Sequence, residues 1–248
     1  MFYLFSMAFT AFSLAAPSQS LVYDLTVNGR HVGTRTVKIE YRPATEAYPY
    51  ESRYMIFKTD IHTKIAGQDV VYKQYATGVF ALKEMEFEAT NTLNHDSFEI
   101  QGRKRSNESW IIHEILPSGV TTTEYSKEDL SNISLSLFDP GQAEQWQQDD
   151  IQKLYYLESS TIDEGSWSKG DDISIQSMNR TVLGHRYLYN SGFGTVTGVW
   201  SDTGILLKGD IELAGLNVTA KIQNVPGLLD VAKTSIYNTF DGVTEEAL

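Results

Sequence analysis

From residue 21 to about residue 116 the chain alternates apolar and polar side chains with period two, in stretches rich in Val, Ile, Tyr, Phe and Thr. Successive side chains of a strand point to opposite faces, so this pattern describes half-buried β-strands, and no long helical stripe interrupts it. In "VFALKEMEFEATN" the residues Lys83, Met85, Phe87 and Ala89 share one face and Glu84, Glu86 and Glu88 the other. One wet and one largely dry face is what an antiparallel sheet requires. The three glutamates, at i, i+2 spacing on a flat strand, do not converge on one cation and read as a solvated stripe.

The stretch "YDLTVNGRHVG", residues 23–33, predicts how that sheet bends. Asn28-Gly29 is a strong hairpin signal, because both residues tolerate the positive φ of a type I′ turn. Pairing outward from that turn sets Val27 against Arg30, Leu25 against Val32 and Tyr23 against Thr34. Beyond Gly33 the apolar residues Val37, Ile39 and Tyr41 then fall on the wrong face, and one extra residue repairs the phase. A β-bulge at Gly33 is therefore expected, and bulges coil a sheet.

Residues 117 to about 170 are less regular. "SKEDLSNISL" is expected to form a short helix with Ser126 as N-cap and acidic residues after it. "FDPGQAEQWQQDD" reads as a loop around Pro140-Gly141. Alternation resumes in the 180s, where "HRYLYNSG" and "FGTVTGVWSDTGILLKGDIELAGLNVTAKIQ" hold at least three further strands. After Pro226-Gly227 the period changes: Leu228, Leu229, Ala232, Ile236 and Phe240 share one face of an amphipathic helix that Gly242 caps. The expected architecture is all-β and mainly antiparallel, a strongly curved sheet or half-open β-barrel. It occupies one domain over residues 21–225, with a short mid-chain helix and a C-terminal helix and tail over 226–248.

Composition narrows the function. The 248 residues carry 32 acidic against 20 basic side chains, a net charge of -12, which opposes binding to nucleic acid or anionic lipid. The longest basic cluster, Arg103, Lys104 and Arg105, is too small to reverse this and reads as a solvated turn. A hydrophobic fraction of 41% suffices for a real core. The chain has no cysteine, hence no disulfide, thiolate nucleophile or thiolate metal site. Ahead of the first charged side chain, Asp24, lies "MFYLFSMAFTAFSLAA", too short to span a bilayer as a helix and followed by Pro17 and "SQS". This is the pattern of an export signal over residues 1–18, although no Lys or Arg opens it. A periplasmic or secreted protein with no transmembrane span in its mature chain is expected.

Motifs for chemistry are missing. There is no Gly-x-Ser-x-Gly elbow, and "GSWSKG" resembles one only in composition. The histidines His31, His62, His95, His113 and His185 are scattered singly, without zinc-ligand spacing. The glycines of "GFGTVTG" sit in strand sequence with no helix behind them, which argues against a phosphate cradle. The acidic pairs Asp149-Asp150, Asp163-Glu164 and Asp171-Asp172 read as solvated loops, not as carboxylates facing each other across a cleft. No catalytic residue, metal ligand or cofactor is expected. Aromatic side chains are plentiful, with 14 Tyr, 11 Phe and 4 Trp. Tyr72, Tyr75, Phe80, Met85 and Phe87 are the candidates to line a concave face that holds an apolar ligand, or else to form ordinary core.

Several stretches, in order, resemble exported bacterial proteins of domain-of-unknown-function families. They are "YDLTVNGRHVG", "YESRYMIFKTDI", "VVYKQYATGVF" with the L-x-x-M-x-F-x-A-T strand after it, "VLGHRYLYNSG" and "VWSDTGILLKGDIEL". The resemblance implies an export signal, a curved antiparallel sheet or half-barrel, and no established catalytic residues. Some such proteins are similar in shape to periplasmic lipoprotein carriers, which would imply an apolar ligand. Three functions stay open at this point. The first is a non-enzymatic β-protein that binds a lipid-like or other apolar small molecule, or assists envelope assembly, and it requires an apolar cavity. The second is an interaction module that docks an envelope protein through a sheet edge or the C-terminal helix, and it requires an exposed apolar patch. The third is a hydrolase whose residues converge only in three dimensions.

Overall fold

The computed structural model describes residues 18–44, 51–81, 85–139, 151–177, 180–191, 194–213 and 216–223. The expected export signal and C-terminal helix, and most of the loop around Pro140-Gly141, lie outside the described residues. Eight strands form the first half: β1 Ser18–Val27, β2 Arg30–Arg42, β3 Ser52–Ile65, β4 Gln68–Ala81, β5 Met85–Leu93, β6 Asp96–Lys104, β7 Trp110–Leu116 and β8 Gly119–Tyr125. Seven form the second: β9 Asn132–Ile133, β10 Ile151–Tyr156, β11 Thr161–Ser177, β12 Arg180–Ser191, β13 Gly194–Trp200, β14 Leu206–Leu213 and β15 Leu216–Ile222. β1–β8 and β10–β15 are each antiparallel meanders, and β15 pairs antiparallel with β1 to join them into one sheet with β8 and β9 at its ends. Neighbours pair antiparallel except β9 with β10, which are parallel. The sheet is open, not closed into a barrel.

The alternation in the sequence becomes the two faces of this sheet. Leu21, Tyr23, Leu25, Val37, Ile39, Met55, Phe57 and Ile61 are all fully buried on the inner face, while Thr34, Lys38 and Glu40 point away. Asn28 and Gly29 both take positive φ, 50° and 76°. From that turn the register runs Val27 to Arg30 and Thr26 to His31, then skips Val32 and resumes with Leu25 opposite Gly33. Tyr23 thereby faces Arg35. Gly33 itself is not left-handed; glycine is needed because the neighbouring strand passes so close that a Cβ would lie 1.9 Å from the Asp60 carbonyl oxygen.

The sheet curls until its inner face is filled by its own chain. Between β9 and β10 the segment Ser134–Phe138 forms a 3-10 helix with every residue buried. Phe138 packs edge-on against Tyr23 at 5.3 Å and Phe57 at 6.0 Å between ring centroids, and Trp200 Nε1 donates to the Leu137 carbonyl at 3.2 Å. This corrects the expected mid-chain helix. "SKEDL" makes only one turn, in which the N–H groups of Asp129 and Leu130 both donate to the Ser126 carbonyl at 3.1 Å. Leu130, Ile133, Leu135, Leu137 and Phe138 are all buried, so the stretch has too little polar face for a surface helix and is drawn inward as a plug. Asp163-Glu164 and Asp171-Asp172, expected in loops, lie within β11, the latter at a bulge between Lys169 and Asp172.

Candidate functional site

On four adjacent strands the inner face carries a polar residue where the pattern calls for an apolar one. Arg35, Thr59, Gln74 and Asn91 stand side by side on β2, β3, β4 and β5. All four are buried, and their side chains form one chain of hydrogen bonds. Arg35 Nε donates to Thr59 Oγ1 at 2.8 Å and Arg35 Nη2 to Gln74 Oε1 at 2.8 Å. Gln74 Nε2 and the Tyr72 hydroxyl both donate to Asn91 Oδ1, at 2.9 and 2.8 Å. The turn after β10 closes the row: Glu158 pairs with Arg35 Nη2 at 3.0 Å and accepts from Ser134 Oγ at 3.0 Å, and Asn91 Nδ2 donates to the Leu157 carbonyl. Burial, with the Glu158 charge nearby, pushes the Tyr72 phenol well above its ordinary range, so it stays a donor.

A second, part-buried pair repeats the arrangement. Arg53 on β3 grips Asp139, just past the plug, through Nε at 2.7 Å and Nη2 at 3.0 Å. Two arginines of the sheet thus hold one carboxylate just past the plug, Asp139, and one, Glu158, that itself accepts from Ser134 of the plug. Such pairs hold geometry more surely than they add stability, because desolvation offsets most of the attraction. Tyr155 on β10 adds a bond to Glu114 on β7, and burial with that bond holds its phenol protonated.

The outer face is shaped differently. Gly78, Phe87 and Gly102 are neighbours on β4, β5 and β6, and a Cβ on Gly102 would lie 2.3 Å from the Phe87 ring. With no side chain there, the ring lies across the inner surface. On the outer surface these three residues floor a groove of about 510 Å³ that runs from β3 to β7. One bank is the cross-strand row Tyr54, Val79, Glu86, Arg103 and Ile111; the other is Thr77, Glu88, Gln101 and His113. Glu88 accepts from Thr77 Oγ1 at 3.3 Å, and His113 Nδ1 bonds Thr122 Oγ1 at 2.8 Å. Glu86 and Arg103 face each other across β5 and β6 yet do not pair, and neither they nor Gln101 makes a side-chain hydrogen bond or ion pair among the described residues.

The five aromatic and methionine candidates do not form one site. Tyr72, Phe80, Met85 and Phe87 lie on the inner face, each at most 5% exposed, with Phe80 paired to Met85 and Phe87 packed on Trp110. Tyr75 lies on the outer face at 47% exposure, beside Lys58 in a second groove of about 320 Å³. The residues that sequence reasoning missed are Arg35, Gln74, Asn91, Arg53, Asp139 and Glu158. Polar residues in the apolar phase of consecutive strands were the available signal.

His185 on β12 is the one histidine with two carboxylate partners among the described residues. Its Nδ1 lies 2.8 Å from Asp172 and its Nε2 2.6 Å from Asp202, and these bonds raise its pKa. Both ring nitrogens therefore donate, which describes a charged clasp and not a general base. No group of three His, Asp or Glu among the described residues could hold a metal ion, and no helix among them is long and apolar enough to cross a membrane.

No protein-family model matches the chain, and no curated protein matches it. Among solved structures, the chain is similar to the crystal structure of a beta-barrel-like protein of domain of unknown function DUF1849 from Brucella abortus. The match has a TM-score of 0.55 at 12% sequence identity, and covers 84% of this chain and 95% of that one. At that identity the likeness shows a shared β-barrel-like fold.

Proposed function

We propose that this β-barrel-like chain is a non-enzymatic binding module of the bacterial envelope, exported by the apolar segment ahead of β1, that docks a protein partner along its β8 edge. One observation carries the reading: the two ends of the open sheet are finished in opposite ways. β9 is only two residues long and runs into the buried plug. β8 is seven residues long, no described strand pairs with its far side, and Val120 is 64% exposed. Proteins normally blunt such an edge with Lys, Pro or a bulge. The β8 sequence "GVTTTEY" has none of these, and its one charge, Glu124, is paired with Arg105 at 2.9 Å. Exposed Leu116 extends the apolar surface at the β7–β8 turn. An added strand takes affinity from the backbone and specificity from such side chains. The inner face, where an apolar ligand was expected, is occupied by the plug, and for that reason the edge is preferred.

Consecutive residues of an edge strand direct their N–H groups to opposite sides. Of the proline substitutions Thr121→Pro and Thr122→Pro, one therefore weakens pairing with β7 and the other removes only an outward donor. A photo-crosslinker at Val120, used in the native host, should yield a discrete protein adduct that the second kind of variant loses while it stays folded. A crosslinker at exposed Leu183 on β12 is the control. Equal adducts at both positions, or none at Val120, would overturn the proposal.

A further inference from the structure

The outer groove between β3 and β7 suits a different ligand from the β8 edge. It crosses four strand spacings, which at about 4.8 Å each makes a trench roughly 19 Å long. Its charges partly offset, two carboxylates, Glu86 and Glu88, against one guanidinium, Arg103, with the His113 ring beside them. A strongly anionic ligand meets net repulsion there, and a strongly cationic one finds only a single unbalanced carboxylate. Its hydrogen-bonding groups alternate: carboxylates that only accept, a guanidinium that only donates, and the Gln101 amide that does both. Glu86, Gln101 and Arg103 have no protein partner among the described residues, and that observation distinguishes the trench from the inner polar row. Aliphatic and aromatic surface closes its ends, Ile111 at one and Tyr54 at the other, where Arg42 lies 4.3 Å from the Tyr54 ring.

A ligand that matches this lining is elongated, uncharged, donates and accepts along its whole length, and has apolar C–H faces. We propose that the trench binds a short neutral oligosaccharide. Each sugar hydroxyl both donates and accepts, so it bridges Glu86 or Glu88 to Gln101 or Arg103 without requiring net charge. The pyranose C–H faces rest on Tyr54 and Ile111. The proposal needs neither an open inner face nor a free β8 edge.

The test titrates the full chain with tetra-N-acetylchitotetraose and with maltotetraose, both uncharged, followed by amide chemical shifts, with tetralysine and tetraglutamate as charged probes. Saturable shifts confined to β3–β7 with at least one of the two sugars are expected. Gln101→Ala and Glu88→Ala should each weaken that binding about fivefold, the effect of one lost hydrogen bond. Thr90→Ala in the neighbouring groove should leave it unchanged. Melting temperature, read alongside, separates lost binding from lost folding. No saturable binding of either sugar up to millimolar concentration, binding insensitive to the trench variants, or preference for a charged probe would each overturn the proposal.

Discussion

The two faces of strands β2–β7 use the same kinds of side chain to opposite ends. Inside, Arg35, Gln74 and Asn91 are buried and bonded in one row, which Arg35 joins to Glu158 and Asn91 to the Leu157 carbonyl in the turn after β10, Glu158 in turn accepting from Ser134 of the plug. Outside, Arg103, Gln101 and Glu86 stand in cross-strand rows of the same geometry and bond to no described residue. A buried polar group must find a partner within the chain, because water cannot supply one. An exposed one is bonded by water and can exchange it for a ligand. The inner row is therefore architecture, and the outer one is available for recognition.

Four measurements would break or sharpen this contrast. The largest effect belongs to Arg35→Ala, which leaves Glu158 buried and uncompensated and should cost about 3–5 kcal/mol in a urea melt. Adding Glu158→Ala should recover part of that loss. A wild-type midpoint for Arg35→Ala would show that the row does not hold the plug. Next comes Gly33→Ala, which drives a methyl into the Asp60 carbonyl at the bulge that sets Arg35 on the inner face; about 1–3 kcal/mol is expected by the same melt.

The His185 clasp gives a smaller, pH-dependent effect, because its partner Asp202 is largely exposed and solvent screens the pair. His185 has a raised pKa in the fold, so its contribution is fully present below about 6.5, the unfolded value, and fades as pH rises through the folded one. The melting temperature of His185→Asn should fall short of wild type at pH 5.5 and approach it at pH 9. A gap that widens toward pH 9 would refute the clasp. Smallest of all, Glu86→Gln and Arg103→Gln should shift stability by no more than about 0.5 kcal/mol. A larger loss would move the outer row into the architecture.

Period two alone makes most of the strands legible, and the Asn28-Gly29 turn with its spoiled phase points to the bulge. The same arithmetic separates Tyr75 from Tyr72, since residues three apart on a strand cannot share a face. What period two does not contain is the partner of a polar residue in the apolar phase. Arg35 meets Glu158 across 123 residues, and no local pattern marks either as half of a pair. The plug fails to read for a related reason: "SLSLF" carries the composition of a strand or a helix, and only the space left by the curled sheet decides that it becomes a buried 3-10 helix. The outer groove lies between two outward-facing cross-strand rows that come together only after five strands are paired in register.

The union of β1 with β15 has a consequence for how the chain is made. Asp24 and Gln223, bonded to each other at that seam, are 199 residues apart. At synthesis rates of roughly 5–20 residues per second, β1 is present for about 10–40 s before its second neighbour exists. Throughout that interval the second edge of β1 has no partner strand, so a newborn chain needs either a chaperone on β1 or folding deferred until the last strand has arrived.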